Sequence, residues 1–221
     1  MRCAHCCMAA THNGADMSME VFQTACALGE EYGIEHVALG GGEPTLHPRL
    51  FEMIGIALAH FDTVWMATNG KLTDVAWRLF KMAKRGHICV DLSLDRFHSR
   101  INKSLADAFQ EEQKKRYSNF RSYGEPAPRS RAGVRSVSTI LAAGRARKTG
   151  VATTTDRCPC PELYVDPRGR LWSCGCKGKS FGTVYAPKID GVYLDGDCYA
   201  AERDIEEEVY QLDENLEKSG K

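Results

Sequence analysis

No stretch of this chain approaches the run of about 18 apolar residues that a membrane-crossing helix needs, and the thiol-rich start Met1-Arg2-Cys3-Ala4-His5-Cys6-Cys7 lacks the apolar run of a secretory signal. These two gaps lead to the expectation of a cytoplasmic protein with no membrane partner. Net charge is missing too. The chain's 29 Lys and Arg balance 29 Asp and Glu, which removes whole-molecule steering towards nucleic acid or an anionic surface and leaves that role to local patches. With 43% hydrophobic and 26% charged residues among 221, the composition excludes a disordered tail and a small disulfide-bonded scaffold. The length accommodates one domain with a small appendage.

Cysteine, by contrast, is plentiful. Ten cysteines in a compartment that keeps thiols reduced point to a metal or a redox role rather than to structural disulfides. Eight fall in two groups, Cys3, Cys6 and Cys7 near the start and Cys158, Cys160, Cys174, Cys176 and Cys198 near the end. Cys26 and Cys89 stand alone between them and read as core filler.

Between the groups, strand and helix patterns alternate. Apolar residues at Met19, Phe22 and Cys26, with Ser18 placed to cap, predict a helix over 18–32. His36–Leu39 reads as a strand running into Gly40-Gly41-Gly42-Glu43-Pro44, followed by helical spacing at Leu50, Ile54, Leu58 and Phe61. Val64–Ala67 reads as a second strand ending at Thr68-Asn69-Gly70, with helical spacing at Leu72, Val75, Leu79 and Ala83. Ile88–Leu94 is a third strand, Ile101 to about Phe120 a helix, and Val134–Leu141 a fourth strand rich in β-branched residues. This alternation predicts an α/β fold with a parallel sheet, either open or an incomplete barrel. Ligands of such sheets sit at the carboxyl ends of the strands. Gly-Gly-Glu-Pro, Thr-Asn-Gly and Ser93-Leu94-Asp95 all fall there and are expected to face one site.

Cys3-Ala4-His5-Cys6 offers two thiolates at a spacing that suits an iron-sulfur cluster or zinc. Read with Gly41-Gly42-Glu43-Pro44, Thr68-Asn69-Gly70 and Ser93-Leu94-Asp95 in that order, the chain resembles the radical S-adenosylmethionine (radical SAM) enzymes over roughly residues 1–148. The resemblance implies a partial (β/α) barrel in which three cysteines hold a [4Fe-4S] cluster with one open iron. It implies that S-adenosylmethionine binds that iron and that one-electron reduction splits its sulfonium, yielding a 5′-deoxyadenosyl radical that takes a hydrogen atom from substrate. It further implies that Cys3 and Cys6 are cluster ligands, that His5 lies near the adenine, and that Gly41, Gly42, Glu43, Pro44, Asn69 and Ser93 belong to the cofactor pocket. A one-electron donor such as a flavodoxin or ferredoxin follows as partner.

The sequence departs from the family pattern at its start. In this register the first cluster cysteine belongs four residues before Cys3, ahead of Met1. Two expectations follow: either Met1 is internal to a longer reading frame or the chain is truncated, or this is an inactive relative. A ligand set of Cys3, Cys6 and Cys7 is the alternative, and it strains two adjacent residues across one face of the cluster.

The later cysteines can be read without the family. Leu163-Tyr164-Val165 and Arg170-Leu171-Trp172 flank Asp166-Pro167-Arg168-Gly169, which has Pro second and Gly fourth as a type I turn prefers. A hairpin closed there gathers Cys158, Cys160, Cys174 and Cys176 on one side. Four thiolates make a metal site for an iron-sulfur cluster or zinc, which spacing alone does not separate. The segment also resembles a shortened form of the extensions that hold auxiliary clusters in radical SAM maturases of peptides.

Smaller features have two readings each. Glu43 either serves the cofactor site or anchors backbone. Asp95, Arg96 and His98 either meet substrate or form a solvated loop. Ten cations between Lys114 and Lys148, with Glu125 the one acid, make a basic block for an acidic leader peptide, RNA or the cofactor carboxylate, or a solvated face. No RNA-binding aromatic motif accompanies it. The expected organisation is a partial barrel over 1–148, a cysteine-rich hairpin extension over 149–200 and an acidic helix over 201–221. The substrate is open between a peptide or protein, a small molecule and RNA, with a peptide or protein placed first. The rival from another class is a non-catalytic zinc or iron-sulfur protein.

Overall fold

The computed structural model describes residues 4, 6, 10–11, 13–98, 101–119, 131–135, 149–151, 163–173, 175, 177 and 179–189. The expected alternation is present: α1 (Met19–Glu31), β1 (His36–Leu39), a 3₁₀ turn (Pro44–Leu46), α2 (Leu50–His60), β2 (Thr63–Thr68), α3 (Thr73–Lys84), β3 (Cys89–Ser93), α4 (Lys103–Asn119) and β4 (Ala132–Arg135). Ser18 does cap α1, its Oγ accepting from the Val21 N–H at 3.2 Å, so one orphan donor of the first turn is satisfied.

The four strands pair in parallel in the order β1-β2-β3-β4. Each crossover carries a helix, as parallel strands require. Val64, Met66, Val90, Leu92 and Ala132 point to the helix-covered face and are fully buried with Ile54 and Ala57 of α2, Leu79 and Ala83 of α3, and Leu105 and Phe109 of α4. Among the described residues the sheet is open, with no closed barrel. β4 begins at Ala132, two residues ahead of the β-branched run. Register with β3, Val90 opposite Ala132, draws Ala132 and Gly133 into the ladder despite their weak intrinsic preference for strands. The rest of the run expected to Leu141 lies outside the described residues.

A second sheet, β5 (Tyr164–Val165), β6 (Arg170–Trp172), β7 (Ser180–Thr183) and β8 (Ala186–Pro187), is antiparallel throughout. Its first hairpin closes as read. The Gly169 N–H donates to the Asp166 carbonyl at 2.9 Å, and Gly169 takes φ +75°, a left-handed conformation suited to glycine. Leu171, Phe181 and Val184 pack on Val21 and Leu28 of α1, whose other face feeds the main core through Met19, Phe22 and Cys26. Asp166 sits beneath the turn, 2% exposed. It accepts from the Arg168 and Arg170 N–H groups, Arg170 Nε and Trp172 Nε1. Burial pushes its pKa up, but the Arg170 N–H, the Arg170 guanidinium and the Arg168 N–H outweigh burial and hold the carboxyl below its usual range.

Candidate active site

The three glycine- and serine-bearing motifs sit at the carboxyl ends of adjacent strands, as expected. Gly41 follows β1 with φ +106°. Among the described residues nothing lies within 4 Å of where a Cβ on Gly40 or Gly41 would be, and one on Gly42 would lie 3.7 Å from the Ala10 Cβ. Among the described residues the loop is therefore uncovered at its first two glycines, and at the third it rests against Ala10, whose N–H reaches Cys6. The Cys6 thiol is half-buried, and its Sγ accepts from the Ala10 N–H at 3.4 Å. Thr149 Oγ1 ties the Ala4 carbonyl at 2.9 Å.

Glu43 closes the arrangement. Its Oε1 accepts from Thr45 Oγ1 at 2.7 Å, Thr68 Oγ1 at 2.7 Å and the Thr45 N–H at 3.3 Å. Its Oε2 accepts from the Asn69 N–H at 2.9 Å. The carboxylate thus caps the 3₁₀ turn that Pro44 begins and fastens the end of β1 to the end of β2. This is the anchoring contact pattern among the two readings of Glu43. Asn69, 5% exposed, forms a turn of its own, with Oδ1 accepting from the Lys71 N–H at 2.9 Å. Ser93 is the last residue of β3 and pairs in register with Arg135.

Beyond Ser93, Asp95 Oδ1 meets the Phe97 N–H at 2.9 Å and His98 Nδ1 at 2.8 Å. Its Oδ2 is buried with no hydrogen-bond partner among the described residues. The loop is thus a tied turn, and Arg96 lies over the Phe97 ring. A cavity of about 680 Å³ lined by Lys81, Lys84, Arg85 and His87 lies elsewhere, where α3 ends and β3 has yet to begin, and none of the motif residues reaches it.

Cys3, His5, Cys7, Cys158, Cys160, Cys174, Cys176, Cys198 and Arg145 lie outside the described residues. Among the described residues no group of three or more His, Cys, Asp or Glu side chains gathers to hold a metal, and no helix is long and apolar enough to cross a membrane. Cys26 is buried at 2%, and burial pushes its thiol up to about 11, which fits core filler. Sequence reasoning missed Thr45 and Thr68, whose hydroxyls complete the Glu43 anchor. Their signal was position alone, each at the edge of a motif.

The sequence model of the radical SAM superfamily matches residues 1–131. Mycofactocin maturase MftC of Mycobacterium tuberculosis (strain ATCC 25618 / H37Rv) is 36% identical over 78 residues, which cover 34% of this chain and 19% of that protein. The GTP 3′,8-cyclase of Chlorobaculum tepidum is 34% identical over 99 residues, covering 43% of this chain and 29% of the cyclase. These matches span less than a third of either relative. The crystal structure of BtrN in complex with AdoMet and 2-DOIA superimposes with a TM-score of 0.57 at 13% identity, covering 93% of this chain and 81% of that one, a likeness of fold.

Proposed function

This chain belongs to the radical SAM superfamily, and we propose that it takes a hydrogen atom from a peptide or protein substrate. Membership implies a [4Fe-4S] cluster and S-adenosylmethionine as cofactors; when bound, the cluster supplies one electron and S-adenosylmethionine the group that removes the hydrogen. The observation that carries the reading is the seating of the Cys6 segment against Gly42, beside a glycine loop that Glu43 fastens to Asn69.

The residues present fit these groups. Gly41 and Gly42 form no backbone hydrogen bonds among the described residues, so their carbonyls are available to an amino group, and no Cβ stands in the way. Cys6 is a free thiol whose sulfur already accepts an N–H, the kind of contact that favours a metal-bound thiolate. Cys3 and Cys6 would hold the cluster, with His5 beside the adenine. Asn69 and Ser93 would contact the rest of the cofactor. Glu43 acts on it through the backbone it fixes.

Cys158, Cys160, Cys174 and Cys176 would hold an auxiliary iron-sulfur cluster. The hairpin read between them is formed, Tyr164 opposite Trp172, which supports that reading. The curated relatives named as maturases support a peptide substrate. A flavodoxin or ferredoxin would supply the electron.

The test is reductive cleavage of S-adenosylmethionine. The chain and a version carrying a cysteine four residues ahead of Cys3 are reconstituted anaerobically and reduced with dithionite, and 5′-deoxyadenosine is measured. The extended version is expected to release it, and to lose that ability on Cys6→Ala. No 5′-deoxyadenosine from either would overturn the proposal. Iron, sulfide and zinc counts on the same samples separate an auxiliary cluster from zinc.

A further inference from the structure

The main sheet has two unlike faces. Val64, Met66, Val90, Leu92 and Ala132 face the helices and are fully buried. Residues of the opposite parity look the other way: Trp65 and Ala67 on β2, Cys89 and Asp91 on β3, Gly133 and Arg135 on β4. Trp65, Ala67, Cys89 and Asp91 are only half-buried there, and Arg135 is exposed. Parallel strands usually carry apolar side chains on both faces, because helices cover both. This sheet instead places a carboxylate at the middle of an interior strand, and departures of that kind gather at functional sites.

The polar group is built rather than scattered. Trp65 Nε1 donates to Asp91 Oδ2 at 3.0 Å. The Arg135 guanidinium lies over the same indole, 5.4 Å from the ring centroid. Gly133, the register partner of Asp91, leaves room for the carboxylate, since a Cβ there would come within 2.9 Å of Asp91 Oδ1. Among the described residues no donor reaches Asp91 Oδ1 and no carboxylate pairs with Arg135. A guanidinium lying over a ring keeps the edges of its plane free to donate. Among the described residues, one indole therefore contacts both a guanidinium and a carboxylate that still have hydrogen-bonding capacity to offer.

We propose that Trp65, Asp91 and Arg135 form the substrate-binding surface and that it takes an amino-acid main chain. Arg135 donates to an amide carbonyl oxygen, Asp91 accepts from the neighbouring N–H, and Trp65 holds both in place. The inference deepens the peptide reading above and rests on it. Its position agrees: Asp91 lies two residues before Ser93 on the same face, and Arg135 is the register partner of Ser93, so the surface continues from the cofactor end of the sheet.

The test uses the full chain labelled with 5-fluorotryptophan. Its three tryptophans give three fluorine resonances, with that of Trp65 identified by Trp65→Phe. N-acetyl-glycyl-glycinamide is titrated as the probe, with acetate and methylammonium as single-charge controls. The expected result is a saturable shift of the Trp65 resonance alone, with affinity falling about tenfold in Asp91→Asn and in Arg135→Gln, the loss of one hydrogen-bond partner each. Asp91→Asn keeps an oxygen for the indole N–H, so the platform stays in place. No saturable shift overturns the inference, and so does a shift produced equally by acetate, which would make Arg135 an anion site only. The paramagnetic resonance response of the cysteine-extended version of the chain to S-adenosylmethionine is recorded beside it. Its absence with the peptide shift intact would count against the radical reading, and the converse against this surface alone.

Discussion

Replacing Glu43 by Gln changes one carboxylate oxygen to an NH₂ group in a position where four donors converge. The Asn69 N–H is a fixed donor, so the glutamine oxygen turns towards it. The hydroxyls of Thr45 and Thr68 can rotate and accept from the new NH₂. The Thr45 N–H cannot rotate and is left facing a donor. A hydrogen bond to a charged group contributes about 1.5–3 kcal/mol, and this change weakens several while losing one weak contact, so Glu43→Gln is expected to cost about 1–2 kcal/mol. Glu43→Ala removes all four contacts; water repays part, and bonds within one cluster do not add, giving about 3–4 kcal/mol. Urea denaturation measures both costs, and NMR hydrogen exchange of the Asn69 amide reports whether the link between the β1 and β2 ends has opened. A Glu43→Gln chain within about 0.5 kcal/mol of the original, the range of a neutral surface change, with unchanged Asn69 exchange would refute the anchoring account. It would leave the carboxylate free to contact the cofactor directly.

Three further outcomes follow from the packing and charges. Gly29→Ala should destabilise the chain by about 1–3 kcal/mol in urea, although alanine usually favours a helix, because its Cβ would stand 2.8 Å from Phe61 Cε1. The folded pKa of Asp166 is lowered, so its stabilisation is complete above the unfolded pKa of about 3.9 and drains away as pH falls through the folded value. Asp166→Asn should therefore lower Tm at pH 7 and narrow its gap from the parent as pH drops from 4 towards 2, read by circular dichroism. Cys26, with its thiol at about 11, should resist iodoacetamide at pH 8 in the folded chain and react on unfolding, as peptide mass spectrometry would show.

The sheet was legible because its period is strong. Buried and less-buried residues alternate along β2 and β3, and the glycine and Asn-Gly stops fall at the strand ends, so these elements were placed to within a residue or two. The start of β4 was not, since Ala132 and Gly133 are strand only by pairing with β3. The hairpin turn was legible from Pro167 and Gly169, but the hold on it was not. Asp166 reads as an ordinary turn residue until the fold brings Arg170 and Trp172 back over it. Motif order placed Gly41, Gly42, Glu43 and Asn69 at the ends of β1 and β2, where the structure has them. It said nothing of what Glu43 touches, because Thr68 lies 25 residues away and meets it only across the sheet. The Trp65–Asp91 contact spans 26 residues and was hidden for the same reason. Its one trace in the sequence is the polar alternation of Asp91 and Ser93 between Val90, Leu92 and Leu94.

The most direct test of the central reading is electron paramagnetic resonance of the reduced, anaerobically reconstituted protein carrying a cysteine four residues ahead of Cys3, with and without S-adenosylmethionine. The account predicts a [4Fe-4S] signal that changes when S-adenosylmethionine is added and disappears in Cys6→Ala. The absence of any S-adenosylmethionine-responsive signal, whether the protein holds only an indifferent cluster or only zinc, would contradict it.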